Sequence, residues 1–162
     1  MLVDFHLAEL NIAHLKDRLD SPLLRDFVAA LDDVNRAADS ADGFVWRLQE
    51  GAEEGAKERA GNAIDFRPFG DEYIVTLSLW RDVPSLGRYM MSAPHQPIMA
   101  RRTEWFYPME GPHLVMWWVP AGHIPTLEEA AVKLQQIAEE GPSDKAFDLS
   151  QTFPASHPAQ DG

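Results

Sequence analysis

Two segments, Tyr73–Trp80 and His113–Val119, carry bulky apolar residues at even and odd positions alike. Successive side chains of a strand point to opposite faces, so a strand with one wet face alternates apolar with polar. These two do not alternate, and any fold that contains them must cover both faces of its sheet.

The other elements follow from periodicity and punctuation. Leu2 to Leu10 is mostly apolar, with Asp4, His6 and Glu9 interspersed, and predicts a first strand. Ser21-Pro22 is a helix start, a hydroxyl cap before a proline, and Leu23, Leu24, Phe27, Val28 and Leu31 recur at spacings of three and four, so an amphipathic helix ends before Gly43. Gly43 to Leu48 predicts a second strand, and the acidic segment Glu50 to Gly61 an exposed loop. Helices are expected from about Val83 to Met91 and from His95 to Phe106, with Pro84 and Pro94 near their starts. Thr126 to Glu129 is a capping box and Gly141-Pro142 a stop, which brackets a last helix. Residues 1–146 form one domain in this reading, and 147–162, with Pro154 and Pro158, an extended tail.

The order strand, helix, strand, strand, helix, strand, helix is the split βαβ pattern of the ferredoxin-like α+β fold. With helices on one face of an antiparallel sheet, the other face would still carry aromatics, an uncommon exposure for a monomer. A homodimer whose two sheets pack face to face, a dimeric α/β barrel, is the economical expectation.

Composition excludes more than it selects. The chain of 162 residues has no cysteine, which removes disulfides, thiolate metal sites, iron–sulfur clusters and cysteine nucleophiles and suits a reducing cytoplasm. Its formal net charge of -12 disfavours nucleic acid and anionic lipid surfaces. The start from Met1 to His6 does not resemble a signal peptide, and no apolar run approaches the roughly 20 residues that span a bilayer. Gly-x-Ser-x-Gly and phosphate-binding glycine loops are missing, against hydrolase and nucleotide chemistry.

The reactive groups gather between His95 and Phe106. At about 100° per residue, His95, Ile98, Met99, Arg102, Trp105 and Phe106 share one helical stripe, which sets an imidazole and a guanidinium in an apolar surface. A bound anion or polarised carbonyl would partner the guanidinium; the plain packing alternative is that Arg102 meets a core carboxylate and His95 a backbone carbonyl.

The stretches Thr76 to Trp80, then Tyr89, His95, Met99, Arg101-Arg102 and Trp105-Phe106, then Trp117 to Thr126, together with Gly141-Pro142, Ala146-Phe147 and Phe153-Pro154, resemble an uncharacterised family of small bacterial dimeric α/β-barrel proteins, domain-of-unknown-function family 3291. The resemblance implies kinship with the antibiotic-biosynthesis-monooxygenase-like superfamily. That superfamily holds cofactor-independent monooxygenases of polyketide-like aromatics, haem-degrading enzymes, haem-dependent dehydratases and non-catalytic binders.

A first-turn His95 would be held neutral by the helix dipole and could act as a general base, with Arg102 stabilising an enolate or superoxide-like anion. The leading expectation is therefore a pocket for a small apolar or aromatic molecule, between the His95 helix and the sheet, with monooxygenase-like activity and no cofactor. His95 and Arg102 are its catalytic candidates, and Trp80, Tyr89, Met99, Trp105 and Trp117 its ligand-binding candidates. The alternatives are a non-catalytic binder, with Trp46 and Trp118 also furnishing the cavity, and a haem protein using His95 as axial ligand. No metal site is expected: His6, His113 and His123 lack ligand spacing, although His6 and His113 could pair across the sheet, and His123 shapes the turn into the last helix.

Overall fold

The structure is a computed structural model that describes residues 4–49 and 72–155. Its centre is a long strand, β1 (Phe5–Leu15). On one side β1 runs antiparallel to β3 (Tyr73–Trp80), which in turn pairs with β2 (Phe44–Arg47). On the other side it pairs with β5 (Leu114–Pro120) and, through His14 and Leu15, with a two-residue strand β4 (Phe106–Tyr107). The four principal strands lie in the order β2-β3-β1-β5, all antiparallel, with α1 (Arg25–Ser40) between β1 and β2 and α2 (Val83–Met90) between β3 and β5. This is the ferredoxin-like α+β arrangement that the order of elements predicts.

Alternation along β1 assigns the two faces. Ala8, Leu10 and Ile12 point into a core with Leu77, Leu79, Val115 and Trp117, and α5 (Leu127–Glu140) lays Leu127, Ala130 and Ile137 on it. Leu7 points the other way, into a core with Trp80, Met116 and Phe147 that α1 covers through Ala38 and α2 through Leu86. Helices therefore cover both faces, not one. The two-sided apolar strands find their cover within a single chain, and the uncovered face that called for a second copy is absent from the described residues.

Three local expectations are also corrected. Ser21 does not cap a helix: its hydroxyl donates to the Arg18 carbonyl at 2.6 Å, Pro22–Leu24 form a 3-10 turn, and α1 begins only at Arg25. β1 continues to Leu15 rather than stopping at Leu10, because register with β3 persists through Asn11↔Thr76 and His14↔Tyr73 despite the polar side chains. The single helix expected from His95 to Phe106 is broken into α3 (Gln96–Ala100) and α4 (Arg102–Trp105), and Phe106 is already extended in β4. Arg101, at φ -104 and ψ 9, is the break, and it is held by ion pairs to Glu104 and to Asp26 of α1. Beyond it the chain is pulled into the sheet, where Lys16 N–H donates to the Trp105 carbonyl at 2.8 Å.

The last helix starts as expected, with Thr126 Oγ1 accepting from the Glu129 amide at 3.1 Å. The Glu129 side chain, however, turns to Trp117 and His123 rather than back to the cap. After Gly141, Phe147 bridges to Met116 of β5 through both backbone bonds and is fully buried. The acidic loop expected from Glu50 to Gly61 lies outside the described residues.

Candidate functional site

The break at Arg101 scatters the predicted stripe. Arg102 is exposed and donates from its guanidinium to the Met99 carbonyl at 2.8 Å, so it is not a cation buried in an apolar surface and asks for no anionic partner. Met99 is 37% exposed. Trp105 is buried, but in a separate cluster with Leu15, Leu24 and Phe27 at the far end of β1. Trp117 is buried on the α5 face, opposite Ala8, with its Nε1–H donating to Glu129 Oε2 at 2.9 Å. Of these four only Met99 adjoins His95, its amide donating to the His95 carbonyl at 3.2 Å while its side chain faces solvent.

The aromatic candidates next to His95 are Tyr89 and, behind Tyr89, Trp80. Tyr89, on the inner side of α2, stacks on Trp80 with centroids 5.1 Å apart and planes 28° apart, and His95 lies against the other side of this pair, 5.2 Å from the Tyr89 ring. Its hydroxyl donates to the Val34 carbonyl of α1 at 3.3 Å, which ties α2 to α1. Burial, and then the nearby charge of Glu9, push its phenol up to about 12. It is a proton-bearing donor throughout the physiological range.

His95 is the N-cap residue of α3, one position outside the helix, and is half-buried. Its Nδ1 lies 3.1 Å from the Met90 carbonyl. A carbonyl can only accept, so Nδ1 carries the hydrogen and Nε2 keeps its lone pair in the neutral ring. Burial lowers the imidazole below its ordinary value, while the Met90 carbonyl opposes that shift. Among the described residues nothing hydrogen-bonds Nε2. In the same loop the Ser92 hydroxyl is buried with no partner among the described residues.

The residues that sequence reasoning missed lie under Trp80. Its Nε1–H donates to Ser78 Oγ at 2.9 Å, and the Ser78 hydroxyl donates in turn to Glu9 Oε1 at 3.0 Å. Glu9 is 7% exposed, in the middle of the central strand, between Ser78 of β3 and Met116 of β5. Directly beyond Ser78 in the same row stands Arg47 of β2, the cation best placed to neutralise it. Arg47 instead binds Asp39 of α1 through two hydrogen bonds, of 2.7 and 3.3 Å. Burial pushes the Glu9 carboxyl up to about 7, against the smaller downward pull of the hydrogen bond from Ser78. The available signal in the sequence was a carboxylate flanked by Leu7, Ala8 and Leu10 in an apolar strand.

Glu9, Ser78, Trp80, Tyr89 and His95 thus form one connected line from the centre of the sheet to the loop before α3. On the outer side of that loop, Ala93, Pro94, Pro97 and Ile98 face Ala30 and Ala37 of α1 across an open groove of about 650 Å³. The other histidines do not converge. His6 stands opposite Val119 and His113 at the other end of β5, beside Ile12, and no group of three or more His, Asp or Glu among the described residues could hold a metal ion. No described helix is long and apolar enough to cross a membrane.

Residues 6–161 match the model of the family described as Domain of unknown function (DUF3291). The chain belongs to this family. No curated protein matches this DUF3291 chain. Among solved structures it is similar to the NE2512 protein of unknown function from Nitrosomonas europaea, at 12% identity and a TM-score of 0.46, over 75% of this chain and 96% of that one. It is similar also to SnoaB, a cofactor-independent oxygenase from Streptomyces nogalater, at 11% identity and a TM-score of 0.43, over 75% of this chain and 96% of that one. A dabb family protein with a ferredoxin-like fold from Mesorhizobium loti aligns at 12% identity and a TM-score of 0.39, over 75% of this chain and 98% of that one. Likenesses this distant carry no activity to the DUF3291 chain.

Proposed function

We propose that this DUF3291 protein binds a small aromatic molecule beside the half-buried Tyr89 and His95 rings and oxygenates it without a cofactor, with His95 as the base. The observation that carries this is the state of one ring. The Met90 carbonyl fixes the Nδ1–H tautomer of His95, burial favours its neutral form, and the basic Nε2, which no described residue hydrogen-bonds, lies beside the Tyr89 ring.

The chemistry needs an electron-rich phenol or enol and molecular oxygen as the only co-reactant. Nε2 takes the acidic proton, and the resulting anion passes electrons to oxygen. A C–O bond forms, and the hydroperoxide leaves water and a carbonyl, with His95 returning its proton to the departing hydroxide. Both electrons that reduce the second oxygen atom come from the substrate C–H bond, so no external reductant enters. Arg102, exposed and bonded to Met99, has no part in this scheme.

The test is oxygen uptake by the purified protein with a panel of polycyclic phenols and anthrones. Turnover is expected to fall by about two to four orders of magnitude in His95→Ala, the usual contribution of a general base. Unchanged turnover in that variant overturns the assignment of His95. Binding without turnover in the wild type would instead favour the non-catalytic binder, and a Soret band in freshly purified protein would replace both readings with a haem protein ligated through Nε2.

A further inference from the structure

The run Met90-Met91-Ser92-Ala93-Pro94 ends α2 with one backbone oxygen left over. In a continuing helix the carbonyl of Met90 would accept from the amide of residue 94, four positions on. Residue 94 is proline, which has no N–H to give and which disfavours the helical conformation at Ala93 before it. Two side chains take that place. His95 Nδ1 lies 3.1 Å from the Met90 carbonyl, and Gln96 Nε2 donates to the same oxygen, also at 3.1 Å. The Gln96 amide is held on two sides, since its Nε2 also lies 3.6 Å from Met91 Sδ. Only that nitrogen, and not the amide oxygen, can face a carbonyl. The backbone repeats the pattern: the amides of His95 and Gln96 both donate to the Ser92 carbonyl, each at 3.1 Å. Two consecutive residues are thus locked onto the same pair of carbonyls, and one of them carries the Nε2 assigned as the base.

Sharing an acceptor changes the ring. Two donors on one oxygen draw on the same lone-pair density, so each bond is weaker than it would be alone. The loss is greater for the imidazolium than for the neutral ring, because a charge-assisted hydrogen bond is roughly twice as strong as a neutral one. Resting on the reading of His95 as the base, we propose that Gln96 is its positioning residue: by holding part of the Met90 carbonyl, it keeps Nε2 unprotonated, and so able to accept a proton, down to lower pH than that carbonyl would otherwise allow. Among the described residues the titratable group that faces the ring is Tyr89 of α2, which keeps its phenol proton up to about 12. From α3 the neighbour is the uncharged amide of Gln96 itself. Burial lowers the titration of His95 and the Met90 carbonyl opposes that. Gln96 acts on the opposing group.

The ring can be followed without any ligand, by long-range proton–nitrogen NMR of the isotope-labelled full chain, with the His95 signals identified by their loss in His95→Ala. Gln96 is exposed, so its substitutions leave the core alone. Gln96→Leu removes the donor but still shields the carbonyl from water, and should raise the pH of half-titration of His95 by about half a unit, the worth of part of one hydrogen bond. Gln96→Lys, which donates with a full charge, should lower it. Gln96→Glu, which cannot donate once ionised and adds a negative charge, should raise it further than Gln96→Leu does. A midpoint in Gln96→Leu equal to or below that of the wild type overturns the proposal, even if the Lys and Glu variants shift in opposite directions, because charge alone would do that from any nearby position. Oxygen uptake with the same phenols and anthrones separates this result from the reading beneath it. Should the midpoint stay in place while His95→Ala loses turnover, the base stands and Gln96 has no hold on it. Should the midpoint move while His95→Ala keeps its turnover, the base reading fails and takes the role of Gln96 with it.

Discussion

The ring of Tyr89 lies on the indole of Trp80, and through that contact one helix residue joins three elements. Phe44 of β2 meets the same indole edge-on, with centroids 5.5 Å apart. Trp80 is thereby held between β2 and α2, while the Tyr89 hydroxyl reaches α1 at the Val34 carbonyl. The stack is a structural joint, and the contributions of its ring and its hydroxyl can be told apart by what is removed.

Removing only the hydroxyl tests the joint gently. Tyr89→Phe keeps the stack and loses a long hydrogen bond, so it should cost about 1 kcal/mol or less in urea unfolding. Tyr89→Ala removes the ring as well, and should cost about 3 kcal/mol and shift tryptophan emission to the red as Trp80 meets water. Equal losses in the two variants would mean that the hydrogen bond, and not the ring, holds α2 in place.

Glu9 sets a pH dependence of stability whose sign is fixed by its upward shift. The folded state binds the proton more tightly than the unfolded chain does, so the penalty for burying this group is absent below about 4.5, grows as pH rises to about 7, and is constant above that. Glu9→Gln should therefore match the wild type near pH 4 and exceed it by about 3 kcal/mol at pH 8. Parallel unfolding curves for the two proteins across that range would show that the wild-type carboxyl is neutralised by something other than its own proton.

Much of this architecture was legible because it follows from local patterns. The two-sided apolar strands, the capped last helix and the order of elements each lead to the sheet that is observed. The demand for cover on both faces was read correctly, and helices of the same chain lie on each. The apolar stripe of α5 that meets Leu10 and Val115 is Leu127, Ala130 and Ile137, and a periodic stripe does not say which face of the sheet it will choose. The site was legible only in part. His95, Tyr89 and Trp80 come together as expected, but periodicity assumed an unbroken helix through Arg101. Long-range ion pairing to Asp26 and the pull of Trp105 into the core decided otherwise. Glu9 and Ser78 are 69 positions apart in sequence, and only the register of β1 with β3 makes them partners.

On the opposite face, Glu129 accepts from the buried Trp117 indole at 2.9 Å and contacts His123 Nε2 at 2.7 Å. Glu129→Ala leaves the indole N–H without its partner and should cost about 1–3 kcal/mol. Glu129→Gln, which keeps an acceptor, should recover most of that. Urea unfolding of the three proteins checks both expectations. Equal losses in the two variants would show that the carboxylate charge, and not its acceptor oxygen, holds the indole.

Gly43 makes the sharpest structural demand on the chain. It sits at φ +88 between α1 and β2, in the left-handed region that side chains resist, and a Cβ there would lie 2.1 Å from Ser85 Oγ and 2.4 Å from Ser85 Cβ. Ser85 cannot retreat, because it is fully buried and its hydroxyl and amide both bind Asp82, the cap of α2. Gly43→Ala should therefore cost about 2–4 kcal/mol, the left-handed conformation and the overpacking each contributing. Ser85→Ala in the same chain relieves only the first contact. Ser85→Gly relieves both, at a helix cost of about 1 kcal/mol, so Gly43→Ala should be milder in the Ser85→Gly background than in the wild type. Additive losses in that double-mutant cycle would place the whole cost in the backbone conformation of Gly43 and none in its contact with α2.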